Sequence, residues 1–420
     1  MIGPHAGRAA VLGLLLVRPA LLRWRRCHFG YLACVPFGEG RIRPVDPICA
    51  NLISMMCVAI LLLTAFMQAP TQKPDTDRLI REAVEAQQQG NLDTAIRDYR
   101  VILRLHPEMA GLRVNLGAAL ADKGQFKEAI AEYLAALPKI SDKDAVRINL
   151  GLAYFKKGDM QSAYTQFHIV ERDHPTDAKV ATLLGEAELR LGKLADVIAT
   201  MQPIASANES NPDFDFVYGS ALVGTGRLRD GATLLERSAQ AESSASAYML
   251  AGSTALKMNA LQEARTDMDA AVRINASLPG VWTLDGIAHD RDGDPEGAEA
   301  AFRRALQSNP NDFDANIYLG AILYKRRAMD ESKQYLSKAL ALEPGSPMAQ
   351  YEMAMWESVS GEYEVAAAAL EKVVAADPKW LEPHVELATL YYKLHRDVDG
   401  ARERKIVAQM EAANQAAGPQ

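Results

Sequence analysis

The stretch DAVRINLGLAYFKKGDMQSAYTQFHIVERDHPTD, residues 144–177, contains the clearest helical pattern in the chain. Gly151 is followed by Gly158 seven residues later, by Ala163 after five more and by Phe167 after another four. Glycine at the second of these places favours the left-handed conformation that ends a helix. A small alanine lets two helices approach closely, and the phenylalanine four residues on lies on the same helical face. The stretch therefore predicts two helices joined by a tight turn.

The same spacing recurs along most of the chain. A glycine or alanine returns every 34 residues, with a single step of 33, at Ala83, Gly117, Gly151, Gly185, Gly219, Gly252, Gly286, Gly320, Ala354 and Ala388. Such a period is typical of repeat proteins. One hairpin has too little apolar surface to fold alone, so successive units must stack. We predict ten units, which start near residues 76, 110, 144, 178, 212, 245, 279, 313, 347 and 381.

Each unit also carries signals that stop its helices. Seven residues after the small residue, eight units have Gly or Asn, whereas Arg327 and His395 stand there in the other two. Proline closes five of the second helices, because it cannot continue a hydrogen-bonded helix, at Pro107, Pro175, Pro310, Pro344 and Pro378. Pro203 falls inside a predicted second helix, so we expect a kink there.

These marks resemble the tetratricopeptide repeat family. Two units match best, through Asn149, Leu150, Gly151, Tyr154, Gly158, Ala163, Phe167 and Pro175, and through Trp282, Gly286, Gly293, Ala298, Phe302, Ala305 and Pro310. The resemblance covers residues 76–413 and implies an all-α, right-handed α-solenoid whose first helices line a concave groove. The last unit contains Gly400, Glu403 and Arg404, and its second helix is expected to be a solvent-facing cap.

Charge is distributed unevenly along the 420 residues. Residues 1–73 carry a net charge near +6, so the remainder carries about −13 in a chain whose net charge is −7. An acidic body of this size repels phosphate backbones. We therefore expect no nucleic-acid partner.

The amino-terminal part contains one long apolar run. Residues 50–69 have no charged side chain, which is enough for a signal-peptide core or one membrane crossing. With the basic residues upstream, the repeats are expected outside the cytoplasm, in the periplasm or anchored to the membrane; a cytoplasmic protein is the alternative. We divide the chain into an extension (1–54, upstream of a start at Met55 or Met56), the signal or anchor (55–69), a linker (70–75), the repeats and a tail (414–420).

No catalytic, cofactor or metal motif stands out from the sequence. The spacing of the cysteines does not match a zinc or iron–sulfur ligand set, at Cys27, Cys34, Cys49 and Cys57. His168 and His174 are six residues apart, which does not place them on one helical face. We expect no enzyme activity, no cofactor and no metal. A repeat protein with an unrecognised active site is the alternative.

The candidate binding residues lie near the ends of the first helices. A basic residue stands two places before the turn residue in six units, as Lys156, Arg190, Lys257, Arg291, Lys325 and Lys393. Such a ladder of cations would suit a peptide carboxylate or an acidic segment. Stabilisation of the helix by charge at its carboxyl end is the alternative role.

Two further sets complete the prediction. Asn115 and Asn149 occupy matching places in adjacent units, and the resemblance implies that such asparagines bind a peptide backbone; plain family consensus is the alternative. Phe155, Tyr324 and Tyr392 each precede one of the cations and are expected to be exposed beside a bound peptide, unless they pack in the core.

The sequence therefore predicts a binding scaffold for other proteins. We expect it to hold extended or acidic peptide segments in the concave groove, with the membrane reached through residues 50–69 if they are not cleaved. An accessory subunit of an envelope assembly, secretion or polysaccharide-export complex is the alternative.

Overall fold

The structure is a computed structural model, and it describes residues 76–209 and 211–417. These residues form twenty α-helices in ten antiparallel pairs, without a strand among them. The predicted extension, signal or anchor and linker lie outside the described residues, as do residues 418–420. Within the described part, no helix is both long and apolar enough to span a bilayer.

The first helix of each repeat carries an odd number here. These helices are α1 (Thr76–Gln88), α3 (Ala110–Asp122), α5 (Lys143–Lys157), α7 (Ala178–Arg190), α9 (Pro212–Gly224), α11 (Ala245–Lys257), α13 (Val281–Arg291), α15 (Phe313–Lys325), α17 (Pro347–Ser360) and α19 (Leu381–Lys393). Their starts agree with the predicted starts of the ten units to within two residues.

The second helix of each repeat carries an even number. These helices are α2 (Leu92–Leu105), α4 (Phe126–Ala136), α6 (Met160–Asp173), α8 (Leu194–Met201), α10 (Leu228–Glu242), α12 (Leu261–Ile274), α14 (Pro295–Ser308), α16 (Met329–Leu342), α18 (Tyr363–Ala376) and α20 (Asp397–Ala417). The last of them continues past residue 413, the predicted end of the array.

Short polar side chains start six of the first helices. An Asp, Asn or Ser oxygen accepts a hydrogen bond from a backbone N–H of the first turn at Asp142, Asp177, Asn211, Ser244, Asp312 and Ser346. Those N–H groups have no partner inside the helix, so the cap removes an unsatisfied donor. Each cap fixes the point where a new hairpin begins.

The turn between the two helices of a repeat passes through one left-handed residue. Glycine takes this conformation in seven repeats, and Asn259, Arg327 and His395 take it with φ of 54°, 66° and 57°. The expected exceptions at Arg327 and His395 therefore adopt the same turn as the glycines. The turn therefore keeps one geometry even at Arg327 and His395, whose side chains disfavour the left-handed conformation.

The two helices of a repeat touch at the recurring small residue. A Cβ added at Gly151 would lie 2.5 Å from Cε1 of Phe167, and one added at Gly286 would lie 2.6 Å from Cε1 of Phe302. Both rings are fully buried. The glycine thus provides the space that the aromatic ring of the second helix fills.

The fourth repeat departs from the pattern at Pro203. Helix α8 ends at Met201, and the chain continues as a 3₁₀ helix over Gln202–Ala207. Proline lacks an N–H and clashes with the preceding turn, which ends the α-helix at this place. Where the sequence predicted a kink, the structure has a change of helix type.

Polar pairs join the first and second helices of several repeats. Asp215 accepts two hydrogen bonds from Arg237, Arg113 donates to Glu132, and Arg147 donates to Gln166. In the last repeat, Nδ1 of His384 lies 2.7 Å from Oε2 of Glu403, and both side chains are buried. The expectation that Glu403 faces solvent as part of a cap is therefore wrong, because a histidine of α19 holds it inside.

Two other buried carboxyls make stability depend on pH. Glu188 and Asp267 are almost fully buried, and one oxygen of each has no hydrogen-bond partner. Burial, followed by the charge of nearby carboxylates, raises the pKa of each side chain to about 7. The folded state therefore binds more protons than the unfolded state from about pH 4 to pH 7, so stability falls as the pH rises through this window.

Replacing Asp267 by a neutral side chain should weaken this pH dependence. We expect Asp267→Asn to be more stable than the wild type, and the gain to be larger at pH 8 than at pH 5 by roughly 2 kcal/mol. Denaturation followed by circular dichroism at the two pH values measures the difference. The exposed Glu411→Gln is the control and should keep the wild-type pH dependence. An unaltered pH dependence in Asp267→Asn would contradict the assignment.

Candidate functional site

The first helices line the inner side of the stack. Six of the nine neighbouring pairs of first helices pack on each other, most closely α7 on α9 and α15 on α17, whereas successive second helices in the described part make no comparable contact. Elements on the inner side of a curved stack lie closer together, so this side is concave. We call the side chains at the second, sixth, ninth and thirteenth places of each repeat the concave face, since this spacing places them on one side of each first helix.

The predicted ladder of cations lies at the thirteenth place and is exposed throughout. Arg291 Nη1 donates to the carbonyl oxygen of Leu256 on the preceding first helix, at 3.1 Å. Lys393 Nζ lies 4.7 Å from the ring centre of Tyr363, on a second helix. These two cations contact neighbouring repeats. Among the described residues, Lys156, Lys257 and Lys325 form no ion pair.

The two predicted asparagines lie side by side at the sixth place. Asn115 on α3 is exposed and Asn149 on α5 is half-buried. Neither side-chain amide makes a hydrogen bond within the described part of the chain. An amide has two donor hydrogens and one acceptor oxygen, which can bond both groups of a peptide unit. Their placement fits contact with an extended backbone.

The third and fourth repeats bring several predicted residues together. The guanidinium carbon of Arg190 lies 5.7 Å from the ring centre of Phe155, and Nη2 of Arg190 lies 3.9 Å from Oε1 of Glu186. Burial raises the pKa of Glu186, and the charges of Arg190 and Lys156 oppose that shift. We define the repeat 3–4 patch as Asn149, Phe155 and Lys156 on α5 together with Arg190 on α7.

Tyr324 is not exposed, contrary to expectation. Its side chain is 5% exposed, and its hydroxyl donates to Oε2 of Glu352 at 2.8 Å. Burial of this ring between α15 and α17 follows from the close packing of these two first helices. Tyr324 therefore supports the concave face from beneath.

Tyr392 is half-buried and packs on its own second helix. Its ring occupies the space above Gly400, where an added Cβ would lie 2.9 Å from Cε2, and the guanidinium of Arg404 lies 5.4 Å from the ring centre. Gly400 leaves room for the ring, so the ring faces α20.

The sequence reasoning missed an acidic part of the concave face in the last three repeats. Tyr318, Glu352 and Glu386 occupy the sixth place there, which is the place of the two asparagines. Burial raises the pKa of Glu352, while the hydrogen bond from Tyr324 and the charge of Lys325 oppose the shift. A comparison of all ten residues at the sixth place would have revealed this set. The concave face thus differs in charge along its length.

The concave face presents charged, amide and aromatic groups that are suited to binding. Cations, amides and half-buried rings on a preformed surface recognise extended chains through many modest contacts. In the described residues, the concave face contains no nucleophile held by a neighbouring base. The chemistry that the geometry supports is recognition.

Ten stacked helical hairpins with an open inner face define the chain as an α-solenoid scaffold for protein interaction. The chain belongs to the tetratricopeptide repeat family, whose model matches residues 80–145, 148–212, 218–279 and 284–347, together more than half of the chain.

Solved structures with similar folds include several tetratricopeptide repeat proteins. One from Parabacteroides merdae is 16% identical, with 59% of this chain and 98% of that chain covered and a TM-score of 0.42. MamA from Desulfovibrio magneticus is 23% identical, with 40% and 96% covered and a TM-score of 0.35. YrrB, described as having an unusual peptide-binding site, is 20% identical, with 42% and 92% covered and a TM-score of 0.36. No curated protein matches the chain.

Proposed function

We propose that the chain holds an extended, acidic segment of a partner protein on the repeat 3–4 patch. The observation that carries the proposal is the convergence of Lys156 and Arg190 with Asn149 and Phe155 on two neighbouring first helices. The exposed cations would bind carboxylates, and the unpaired amides of Asn149 and Asn115 would bind the peptide backbone.

Local charge favours this part of the concave face over the last repeats. Asp290, Asp314, Glu352, Glu382 and Glu386 surround Tyr318 and Tyr351 in repeats seven to ten, and several of these carboxylates raise the pKa of the two tyrosines in addition to the effect of burial. An acidic peptide would be repelled there. At the repeat 3–4 patch, Glu186 interacts with both cations, and Asp213 of the next first helix is a second carboxylate that acts on Glu186.

The segment is first identified by crosslinking at the patch. A photoreactive phenylalanine analogue replaces Phe155 in the full chain, and mass spectrometry maps the crosslinked partner sequence in native cells. The same analogue at Tyr335, a half-buried residue of the second helix α16, provides the background. Crosslinks to an acidic segment from the first position alone would support the proposal.

Charge reversal then tests the assigned contacts. We expect Lys156→Glu with Arg190→Glu to weaken binding of the synthetic segment at least about tenfold, since each charged hydrogen bond contributes about 1.5–3 kcal/mol. The melting temperature should not change, because both side chains are exposed. Lys338→Glu with Lys372→Glu makes the same change of charge on second helices and should retain affinity. Equal affinities for the two double variants would refute the patch.

We further propose that the repeats act outside the cytoplasm, exported or anchored through residues 50–69. The support is the uncharged run and the basic residues before it. Protease digestion of intact spheroplasts should remove the repeats while a cytoplasmic marker survives. Protection of the repeats until the membrane is lysed would place them in the cytoplasm.

A further inference from the structure

Three side chains at the junction of the sixth and seventh repeats come together outside the concave face. One carboxylate oxygen each from Asp269 and Asp285 and a ring nitrogen of His289 all lie within 4.8 Å of one another. Asp269 is on α12, whereas Asp285 and His289 are four residues apart on α13, one helical turn from each other. Two packed helices of different repeats thus supply three donors to one point.

Asp285 stands where other repeats place core leucines, as Leu116, Leu150, Leu184, Leu319 and Leu387 do. Asp285 is 5% exposed, and its carboxylate makes no hydrogen bond with any described residue. Its ion-pair contact is with Nε2 of His289, 3.9 Å from Oδ1. A buried carboxylate without hydrogen bonds is costly unless a cation compensates it. Within the described residues, the long contact with His289 is the ion pair of this core-layer carboxylate, so a bound cation would add to its compensation.

The imidazole is held in the orientation that a metal ligand needs. Nδ1 of His289 lies 2.8 Å from Oδ2 of Asp294, which accepts its hydrogen, and Nε2 on the other side of the ring faces Oδ1 of Asp285 at 3.9 Å. Gly297 makes room for this pair, since an added Cβ would lie 2.2 Å from Nδ1 of His289. A carboxylate that orients a ligating histidine is a recurrent support for protein metal sites.

Two carboxylates and one imidazole give the three donors a negative charge that suits a cation. The charge of Arg265 acts on Asp269 and Asp285 from nearby, but its ion pairs are with other carboxylates: Nη1 lies 2.9 Å from Oδ2 of Asp292 and Nη2 lies 3.8 Å from Oδ2 of Asp294. Zinc bonds of about 2.1 Å in tetrahedral geometry would separate two donors by about 3.4 Å. Oδ1 of Asp285 and Nε2 of His289 therefore need to approach by only about half an ångström.

We propose that Asp269, Asp285 and His289 bind a divalent transition-metal ion, with zinc as the fitting ion. Imidazole nitrogen with two carboxylates suits such ions better than magnesium or calcium, which prefer oxygen alone. The exposed Asp269 leaves one side of the site open to water. The bound metal joins the second helix of repeat six to the first helix of repeat seven and stiffens that junction.

The test uses zinc with the full chain, in which serine replaces the four cysteines so that thiols do not bind the metal. After treatment with a chelator, competition titration should show one zinc ion per chain, and the melting temperature should rise with zinc because the metal binds the folded state. Hydrogen exchange of amides in α12 and α13 should slow on binding, while amides in α18 should not change.

Matched variants decide whether these residues are the ligands. Asp285→Asn and His289→Gln should each lower zinc affinity at least about tenfold and remove the rise in melting temperature, while Asp294→Asn should lower affinity about 10- to 100-fold. Asp290→Asn, on the same helix, should keep the zinc affinity and the rise in melting temperature of the parent. Without zinc, Asp285→Asn should be as stable as its parent or more so, because it removes a buried charge whose ion pair with His289 is long. Equal zinc affinities for Asp285→Asn and Asp290→Asn, or no zinc effect on the parent, would overturn the proposal.

Discussion

Gly286→Ala should lower the free energy of unfolding by about 3 kcal/mol, because its new Cβ would overlap a fully packed ring. That Cβ would lie 2.6–2.8 Å from three ring atoms of Phe302, whose side chain is fully buried. A buried aromatic ring between two helices has no free volume into which it can move. Urea unfolding monitored by circular dichroism measures the loss.

The control and the compensating change both come from the chain itself. Gly111, also on a first helix, has no atom within 4 Å of an added Cβ, so Gly111→Ala should be neutral or slightly stabilising. Repeat nine packs Ala354 with Leu370, both fully buried. We therefore compare the loss in free energy of unfolding for the double variant Gly286→Ala with Phe302→Leu with the summed losses of the two single variants. The loss of the double variant should be smaller than that sum by at least about 1 kcal/mol. Strict additivity would contradict contact between Gly286 and Phe302 as the cause.

Arg237→Met should also destabilise the array by about 3 kcal/mol, because it leaves a buried carboxylate without its partner. Asp215 is 2% exposed and accepts hydrogen bonds from Nε and Nη2 of Arg237, each 2.5 Å long. Repeat arrays open locally, so the effect should concentrate in the fifth repeat and its neighbours. Hydrogen exchange should show faster exchange in α9 and α10 and unchanged exchange in α18.

A second change, at Asp215, distinguishes loss of the ion pair with Arg237 from loss of side-chain packing. Repeat four has Ala181 at the place of Asp215, and that alanine is fully buried. Asp215→Ala together with Arg237→Met should therefore be more stable than Arg237→Met alone, since no uncompensated charge remains. The exposed Arg229→Met, on the same second helix, should have little effect. If the double variant were the least stable of the set, side-chain packing would account for the loss and the charge would not.

Most of the helical architecture could be predicted from local spacing. Gly158 and its equivalents mark turns, and the interval between Gly151 and Phe167 fixes which side chains meet, because both depend on neighbours within one hairpin. Even the interruption at Pro203 follows from the missing N–H of one residue. Tyr324 and Glu403 were wrongly expected at the surface, since their burial depends on other helices: the neighbouring first helix α17 for Tyr324 and His384 of α19 for Glu403.

The candidate site was only partly predictable for the same reason. The 34-residue period of the sequence correctly placed Asn115 and Asn149 on adjacent first helices and the cations at helix ends. The period did not show that Arg291 donates a hydrogen bond to a neighbouring helix or that Arg190 lies over the ring of Phe155. These contacts depend on side-chain directions between repeats, which a sequence period does not specify.

Local sequence signals specify the class of fold, the ten units, their turns and the matched small and aromatic residues, because a hairpin is defined by interactions over fewer than 34 residues. Packing between repeats establishes which polar side chains are engaged, how charge differs along the concave face, and that Asp269 meets Asp285 and His289. These features arise where one repeat packs on the next, and the physical reason is burial. A charged group gains or loses its partner only when two repeats close over it.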